Sequence, residues 1–319
     1  MSEFSPIPVG PISSNLPGVP GFYKHSGRVP ANALLAGMLA AVLGGFVLGA
    51  VWGFVELYLH LAPAKLQIAG FIFGVGGLGM ALGYLPAVVL IRFKARSPFA
   101  MFACTLVSAA SAYYAAWIFF IFAWELYGQT GRPLWDIAGP VSLARDVKSI
   151  YDDGLWRLLG EEWIPTGIYL AMFWAVEFFT LLTIALRTAM KRLNKKTFCE
   201  NCDTWGTARP IMEISDENWP ALKKSLLAGN IDSLATVKPR IYAMPFWCDV
   251  TIEGCPTCDN VQTLTVTRIV VMQNKKGKTS TKKTDLVRRL VMTPEQTVQV
   301  AVIAAGLKGP VSEGARDTI

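Results

Sequence analysis

The chain is too apolar for an ordinary soluble protein of its length. Its 319 residues are 52% hydrophobic and only 17% charged, and the mean hydropathy is +0.38. Soluble domains usually carry about 25% charged residues, so the composition argues against a single soluble domain and favours a membrane protein. The formal net charge of +7 comes from the C-terminal part: residues 1–186 carry 10 basic and 10 acidic side chains, and residues 187–319 carry 20 and 13.

Residues 1–30 predict a flexible tail. This segment is rich in glycine, serine and proline, and its composition cannot bury enough apolar area to offset the entropy of ordering. It also lacks a basic stretch leading into a short apolar run, so we do not expect a secretory signal peptide. Its prolines are Pro6, Pro8, Pro11, Pro17, Pro20 and Pro30.

Four apolar runs are each long enough to cross a hydrocarbon core about 30 Å thick as a helix. They lie near residues 33–59, 68–93, 99–127 and 164–186. Inside lipid the backbone polar groups must pair within the segment, which helices achieve and single strands do not. The sequence therefore predicts a four-helix transmembrane domain over residues 31–190.

The charges in the links predict an orientation. Arg92, Lys94 and Arg96 lie between the second and third runs, and a basic stretch at 187–196 follows the fourth. Cytoplasmic loops are enriched in lysine and arginine, so we expect both links and both termini in the cytosol, most simply at a bacterial inner (plasma) membrane. Residues 128–163 would form an outward loop whose amphipathic helix either lies at the interface or packs as a lid on the bundle.

Glycines recur at four-residue spacing on the first two helices. Such stripes let two helix backbones approach closely. They favour tight packing within one chain, and the alternative is a homo-oligomer formed through the same glycine-rich helices. The glycines are Gly45, Gly49 and Gly53 on the first helix, and Gly70, Gly74, Gly79 and Gly83 on the second.

Carboxylates within the apolar runs are candidate functional residues, because an unpaired charge in a bilayer is costly. Glu177 lies near the middle of the fourth run, Glu56 near the end of the first and Glu125 near the end of the third. A protonated Glu177 hydrogen-bonded to a neighbouring helix is one interpretation. The other is a proton or cation site shared with Glu56 or Glu125, as in a small transporter or channel.

Two Cys-x-x-Cys pairs follow the last apolar run, Cys199 with Cys202 and Cys255 with Cys258. Two such turns supply the four thiolates of a tetrahedral Zn²⁺ site, and a reducing cytosol keeps thiols available for metal. A redox Cys-x-x-Cys would begin a helix after a strand in a βαβ unit. Neither pair has that context, so Zn²⁺ is the expected cofactor and a membrane-tethered thiol oxidoreductase is the alternative.

The segment around the cysteines predicts an α+β domain. We expect a short helix capped by Ser215 or Asp216, strands near residues 241–252, 261–272 and 284–292, and a final helix begun by Thr293 and closed by Gly306. Strands beside paired Cys-x-x-Cys turns resemble a zinc ribbon over residues 198–292. The resemblance implies a metal and no particular function, and no family is recognised for the transmembrane half. The predicted whole is an α-helical membrane protein with a zinc-ribbon-like cytosolic domain at 191–319.

A basic hairpin connects the last two predicted strands. A solvated turn is one interpretation, and contact with anionic lipid headgroups is another, since each basic residue near such a surface adds about 1 kcal/mol. Nucleic-acid binding is disfavoured because no aromatic residues interleave with the charges to stack bases. The lysines are Lys275, Lys276, Lys278, Lys282 and Lys283.

The same residues limit the choice of function. The chain has two histidines, at the tail and at a membrane edge, so no Ser-His-Asp or Cys-His arrangement is available. Four thiolates would also leave a zinc ion without an open position, which indicates a structural metal. The sequence favours a membrane-anchored adaptor or assembly protein that docks a protein partner through its zinc domain, rather than an enzyme.

Overall fold

The computed structural model describes residues 21–60, 62–128, 131–154, 164–241, 244–273 and 278–307. These residues fall into two compact units. The helical unit comprises residues 25–195, and the sheet unit comprises residues from 196 onward together with residues 21–24. Most of the predicted tail, residues 1–20, lies outside the described residues.

Four helices of the helical unit are long and apolar enough to cross a membrane. They are α1 (Ala31–His60), α2 (Ala64–Arg92), α3 (Pro98–Tyr127) and α6 (Gly167–Leu193), which confirms the four predicted helices. The last helix runs further than residue 186, into its basic end. Lysine and arginine are good helix formers and stabilise a helix C-terminus, so the charges that end the apolar run do not end the helix.

Glycine stripes bring these helices together within one chain. A Cβ on Gly49 of α1 would meet the backbone of Ala112 on α3, and a Cβ on Gly83 of α2 would meet the backbone of Ala185 on α6. Gly45, Gly53 and Gly79 make the same kind of approach to a neighbouring backbone, whereas Gly70 and Gly74 meet the side chains of Leu59 and Trp52 on α1. The glycines therefore serve the predicted packing within one chain, and the homo-oligomer stays a prediction.

The predicted outward loop forms two short helices, α4 (Leu134–Ala138) and α5 (Pro140–Asp153). Leu143 of α5 is buried in an aromatic-rich cluster with residues of α1 and α3, and Val147 and Ile150 pack against that cluster. Helix α5 therefore packs on the bundle as a lid, which is one of the two expected arrangements. The rest of the predicted amphipathic stretch, at residues 155–159, lies outside the described residues.

The sheet unit holds a four-stranded antiparallel sheet with the strand order β3-β4-β5-β6. Its strands are β3 (Thr207–Ile214), β4 (Phe246–Gly254), β5 (Gln262–Gln273) and β6 (Thr279–Val291). Alternate residues of the central strands, such as Cys248, Val250 and Val266, are fully buried. This face packs with residues of α7 (Trp219–Leu227), a 3₁₀ turn (Ile231–Leu234) and α8 (Pro294–Leu307).

The elements of this unit differ from the predicted ones in several places. Strand β4 begins at Phe246 instead of residue 241, β6 begins at Thr279 instead of residue 284, and α8 continues through Gly306, its predicted end, to Leu307. Strand β3 was not predicted, because Pro210 interrupts its apolar alternation and marks a bulge in its pairing with β4. The helix expected from Ser215 or Asp216 begins only at Trp219, since Asp216 pairs with Arg268 instead of capping. The start of α8 is as predicted: Thr293 and Gln296 exchange backbone-to-side-chain hydrogen bonds of 3.0 and 3.2 Å.

Residues 21–24 join the free edge of β6, although the sequence placed them in the tail. Phe22 lies opposite Leu290 in an antiparallel bridge. The backbone N–H of Tyr23 donates to the carbonyl of Arg289 (3.0 Å), and that of Val291 donates to the carbonyl of Gly21 (2.8 Å). The physical reason is that an edge strand carries unpaired backbone groups that a passing extended segment satisfies.

Candidate metal centre

Two tight turns present the cysteine pairs. The first turn lies between β1 (Phe198–Cys199) and β2 (Thr204–Trp205), which pair antiparallel. Asp203 takes a left-handed conformation (φ +50°) there, which short polar residues tolerate better than most. The second turn follows β4, and its Thr257 N–H donates to the Sγ of Cys255 at 3.4 Å.

The four sulfur atoms converge. All four Sγ atoms lie within 4.8 Å of one another, with Cys258 at 3.6 Å from Cys199 and 3.3 Å from Cys202. Zinc–sulfur bonds of about 2.3 Å would place tetrahedral sulfurs about 3.8 Å apart, so the cluster is close enough to hold one metal ion. The predicted set of four cysteines is therefore brought together at a single point.

The two cysteines of each pair differ in exposure. Cys199 is 1% exposed and Cys255 is 9% exposed, whereas Cys202 and Cys258 are partly open to solvent. Each pair thus contributes one ligand from the interior and one from the surface. An ion held by all four would be shielded on one side and reachable by a chelator on the other.

The thiols of the cluster differ in pKa. Burial opposes ionisation of Cys255, but backbone N–H groups of Thr257 and Cys258 donate to its sulfur and lower its pKa to about 7. A hydrogen bond to the Cys258 sulfur raises the pKa of Cys202 to about 12, and burial raises the pKa of Cys199. Crowded thiols resist joint ionisation, so binding of a cation is coupled to the release of protons.

A buried carboxylate ties the two turns to each other. Glu253 directly precedes the second turn, and its Oε1 accepts a 2.6 Å hydrogen bond from the backbone N–H of Thr197, just before the first turn. Its other oxygen lies 3.7 Å from Nε of Arg289, and both side chains are 9% exposed. Sequence reasoning missed this residue; its only signal was a charge beside a Cys-x-x-Cys turn in an apolar strand.

The N-terminal segment also reaches the first turn. The hydroxyl of Tyr23 accepts a hydrogen bond from the backbone N–H of Phe198 at 2.9 Å, one residue before Cys199. Burial raises the pKa of Tyr23 to about 12, so the phenol stays neutral at physiological pH. The ring of Phe198 meets that of Trp205 edge to face, with centroids 4.9 Å apart, which fixes the β1–β2 hairpin from the other side.

The two remaining cysteines are outside the cluster. Cys248 is fully buried on the core face of β4, where its thiol donates to Asp216 at 3.7 Å and burial raises its pKa to about 12. Cys104 is buried within α3. Both take the packing positions that their sequence context predicted.

The structure places two of the three candidate carboxylates of the helical unit at one cavity and the third elsewhere. Glu56 and Glu177 line one cavity of about 20 Å³, whose wall includes Tyr113 of α3. Glu125 lies elsewhere, 3.4 Å from the guanidinium of Arg132, so the shared site predicted for Glu177 has Glu56 and not Glu125 as its neighbour. The aromatic part of the wall, which the sequence did not single out, consists of Trp52, Tyr113, Trp117 and Phe120.

The basic hairpin lies at the ends of β5 and β6. Lys278, Lys282 and Lys283 are exposed. Lys275 and Lys276 lie outside the described residues, as does the turn that connects the two strands.

The fold and the cysteine cluster give the chain a definite architecture. Four helices long and apolar enough to span a membrane are followed by a small C-terminal sheet domain with four cysteines close enough to bind a metal ion. Comparison with protein-family models, with curated proteins and with solved structures finds no match in any of the three. Function is therefore argued from the sites themselves.

Proposed function

We propose that the chain is a membrane-anchored adaptor or assembly protein. In this proposal its four helices span the bacterial inner membrane with both termini in the cytosol, and the sheet domain, folded around a structural Zn²⁺, docks a protein partner at the inner leaflet. The observation that carries the proposal is the convergence of four Sγ atoms within 4.8 Å. Four thiolates complete a tetrahedral shell and leave no position for a substrate or an activated water.

Zinc is the ion that the donor set favours. A shell of four thiolates suits Zn²⁺ or an iron–sulfur centre and does not suit Mg²⁺ or Ca²⁺. Binding of a structural zinc supplies on the order of 10 kcal/mol to folding. That contribution matters here because the first turn is carried by strands of only two residues each.

The outer face of α8 supports the docking role. Val298 and Val302 are 63% and 66% exposed, and Ala301 and Ala305 lie exposed on the same helical face. The only charged residue of this helix is Glu295. A surface helix of a domain without partners normally carries polar residues on its outer face, so this apolar stripe (298, 301, 302 and 305) fits a protein partner.

Metal content tests the first half of the proposal. We expect elemental analysis of the purified full-length protein to find one zinc per chain, with the four cluster thiols becoming reactive only after chelation. Cys255→Ser should lose the metal, whereas Cys104→Ala, which alters a cysteine of α3, should keep it. Metal-free protein with redox-titratable cysteines would contradict the zinc site and favour the thiol oxidoreductase.

Partner capture tests the second half. Val298→Asp with Val302→Asp should abolish co-purification of partners while zinc content stays at wild-type level. Ala221→Asp with Lys224→Gln, an equal total charge change at two exposed positions of α7, serves as the control and should retain the partners. Unchanged recovery with the α8 double variant would remove the apolar stripe as the docking surface.

A small transporter or channel is the second candidate, and one observation favours it. Glu56 and Glu177, on different helices, line the same cavity beside Tyr113. Ionisable residues that face a cavity within a bundle mark ion pathways and proton relays in membrane proteins. Two carboxyls at one cavity would bind a single proton or cation more readily than either alone.

Flux through proteoliposomes decides between the candidates. A proton or cation conductance should be lost with Glu177→Gln and kept with Glu125→Gln, because Glu125 pairs with Arg132 away from the cavity. Equal flux from wild type and Glu177→Gln would remove Glu177, the residue on which the transport function is based, and absence of flux from wild type would leave the adaptor.

A further inference from the structure

We infer that the end of the sheet from which the β5–β6 hairpin projects binds the surface of an anionic bilayer. Here the hairpin end means six described residues that lie at this end of the sheet: Ile241, Met244, Met272, Lys278, Lys282 and Lys283. The inference goes beyond the adaptor function and rests only on its proposed membrane anchoring.

The backbone makes this end a projecting ribbon. Strand β4 begins at Phe246, which pairs with Val270, while β5 and β6 continue to pair as far as Gln273 and Thr279. The pairs of Met272 and Gln273 have no third strand beside them in the described sheet, whereas Val271 still bonds the segment just before β4. The ribbon therefore extends past β4 at this end of the sheet.

Apolar side chains at the base of the ribbon are open to solvent. Ile241, Met244 and Met272 are 42%, 40% and 47% exposed. The segment that carries Met244 runs alongside β5, because the N–H of Val271 donates to the carbonyl of Pro245 at 2.7 Å. Flexible methionines and an isoleucine at a projecting end are the apolar part of a surface that enters the headgroup region.

The charges at this end have one sign. No aspartate or glutamate occurs between Arg268 and Thr284, whereas lysines are frequent. Acidic residues lie further from the hairpin: Asp249 of β4 and Asp285 of β6 are both in register with Thr267 of β5. This end is therefore complementary to an anionic surface.

The distribution of the lysines favours a planar surface over a groove-binding partner. Lys282 pairs with Val270 and Lys283 pairs with Ile269, so the two adjacent lysines lie at the base of the ribbon and point to opposite faces of the sheet. A protein or nucleic acid lying on one face would meet only half of the charge. A bilayer met by the end of the ribbon is within reach of both faces.

Hydrogen exchange of the full-length chain in lipid nanodiscs tests the inference. We expect the amides of residues 271–273 and 279–283 to exchange several-fold more slowly in discs containing phosphatidylglycerol than in phosphatidylcholine discs. High salt should abolish the difference, because screening weakens the attraction. Each lysine contributes about fivefold to such binding, so the triple change Lys278→Gln, Lys282→Gln and Lys283→Gln should remove the lipid dependence.

Two controls keep the interpretation specific. Lys223→Gln, Lys224→Gln and Lys238→Gln remove the same charge elsewhere in the domain and should leave the lipid dependence intact. Met244→Ser with Met272→Ser should weaken the protection in anionic discs without removing its salt sensitivity.

The inference is overturned if exchange is equal in the two lipids, or if inorganic phosphate protects the same amides in neutral discs as well as anionic lipid does. Protection that a co-purifying protein supplies in both lipids would also overturn it and assign the hairpin end to that protein. Zinc content and the α8 double variant test the adaptor function separately, so either proposal can fail alone.

Discussion

The ion pair between Asp216 and Arg268 should respond unequally to removal of its two members. Three N–O distances of 2.8–2.9 Å join them, but the side chain of Asp216 is 3% exposed and that of Arg268 is 33% exposed. Arg268→Met would leave the Asp216 carboxylate buried without its ion-pair partner. It would also remove the guanidinium that lies 5.1 Å from the ring of Trp219. Asp216→Asn would leave an arginine that can turn into water.

The difference in exposure sets the expected loss of folding free energy for each variant. Breaking a buried pair so that one charge stays buried costs about 3 kcal/mol or more, which corresponds to roughly a 100-fold change in an equilibrium constant. Loss of a hydrogen bond to a charged group costs about 1.5 kcal/mol when the partner can be solvated, or roughly tenfold. We therefore expect Arg268→Met to be the more destabilising change by about an order of magnitude.

Native-state hydrogen exchange of the core amides of β4 in the full-length protein measures the stability of each variant, because those amides exchange through opening of the domain. Lys238→Gln is the control: it breaks an ion pair whose members are 72% and 48% exposed, and exposed pairs contribute little. If Asp216→Asn speeds exchange as much as Arg268→Met does, the burial of the carboxylate does not determine the cost.

Three further predictions follow from single contacts. Gly49→Ala should separate α1 from α3, because its Cβ would meet the Ala112 backbone, whereas a Cβ on Gly77 would enter open space. The melting temperature in detergent should therefore fall for Gly49→Ala and not for Gly77→Ala. Burial raises the pKa of Tyr23 from 10.0 to about 12, so the wild-type protein should lose stability between pH 10 and 12, where the phenol ionises in the unfolded state first. Tyr23→Phe should remove that loss. Melting temperatures of both proteins measured against pH check this, and parallel curves for wild type and variant would contradict it. Cys248 should resist iodoacetamide at pH 8 until the domain unfolds, because burial raises its pKa to about 12; early labelling would refute its buried position.

Sequence reasoning succeeded where the signal is local. Apolar length predicts α1, α2, α3 and α6 because a hydrocarbon core imposes a minimum span. The Cys-x-x-Cys turns predict their own convergence because each turn aims two sulfurs at one point. The capping pair of Thr293 and Gln296 is likewise contained within four residues.

The features that were missed depend on distant residues. Glu56 and Glu125 have similar apolar surroundings in the sequence, and only the packing of the helices places Glu56 rather than Glu125 at the cavity of Glu177. The contact of Tyr23 with Phe198 joins residues that are 175 positions apart in the sequence. No periodicity within either segment carries that information.

The segment at residues 21–24 and the bulge at Pro210 together affect how copies of the protein behave when crowded. Unsatisfied strand edges are templates for pairing with identical strands, and confinement to two dimensions would raise the encounter frequency of neighbouring domains. One edge of this sheet is partly covered by its own chain, and the other lacks a donor at its proline. Deleting residues 21–24 would expose backbone groups of β6 and favour lateral pairing between the sheet domains of neighbouring copies.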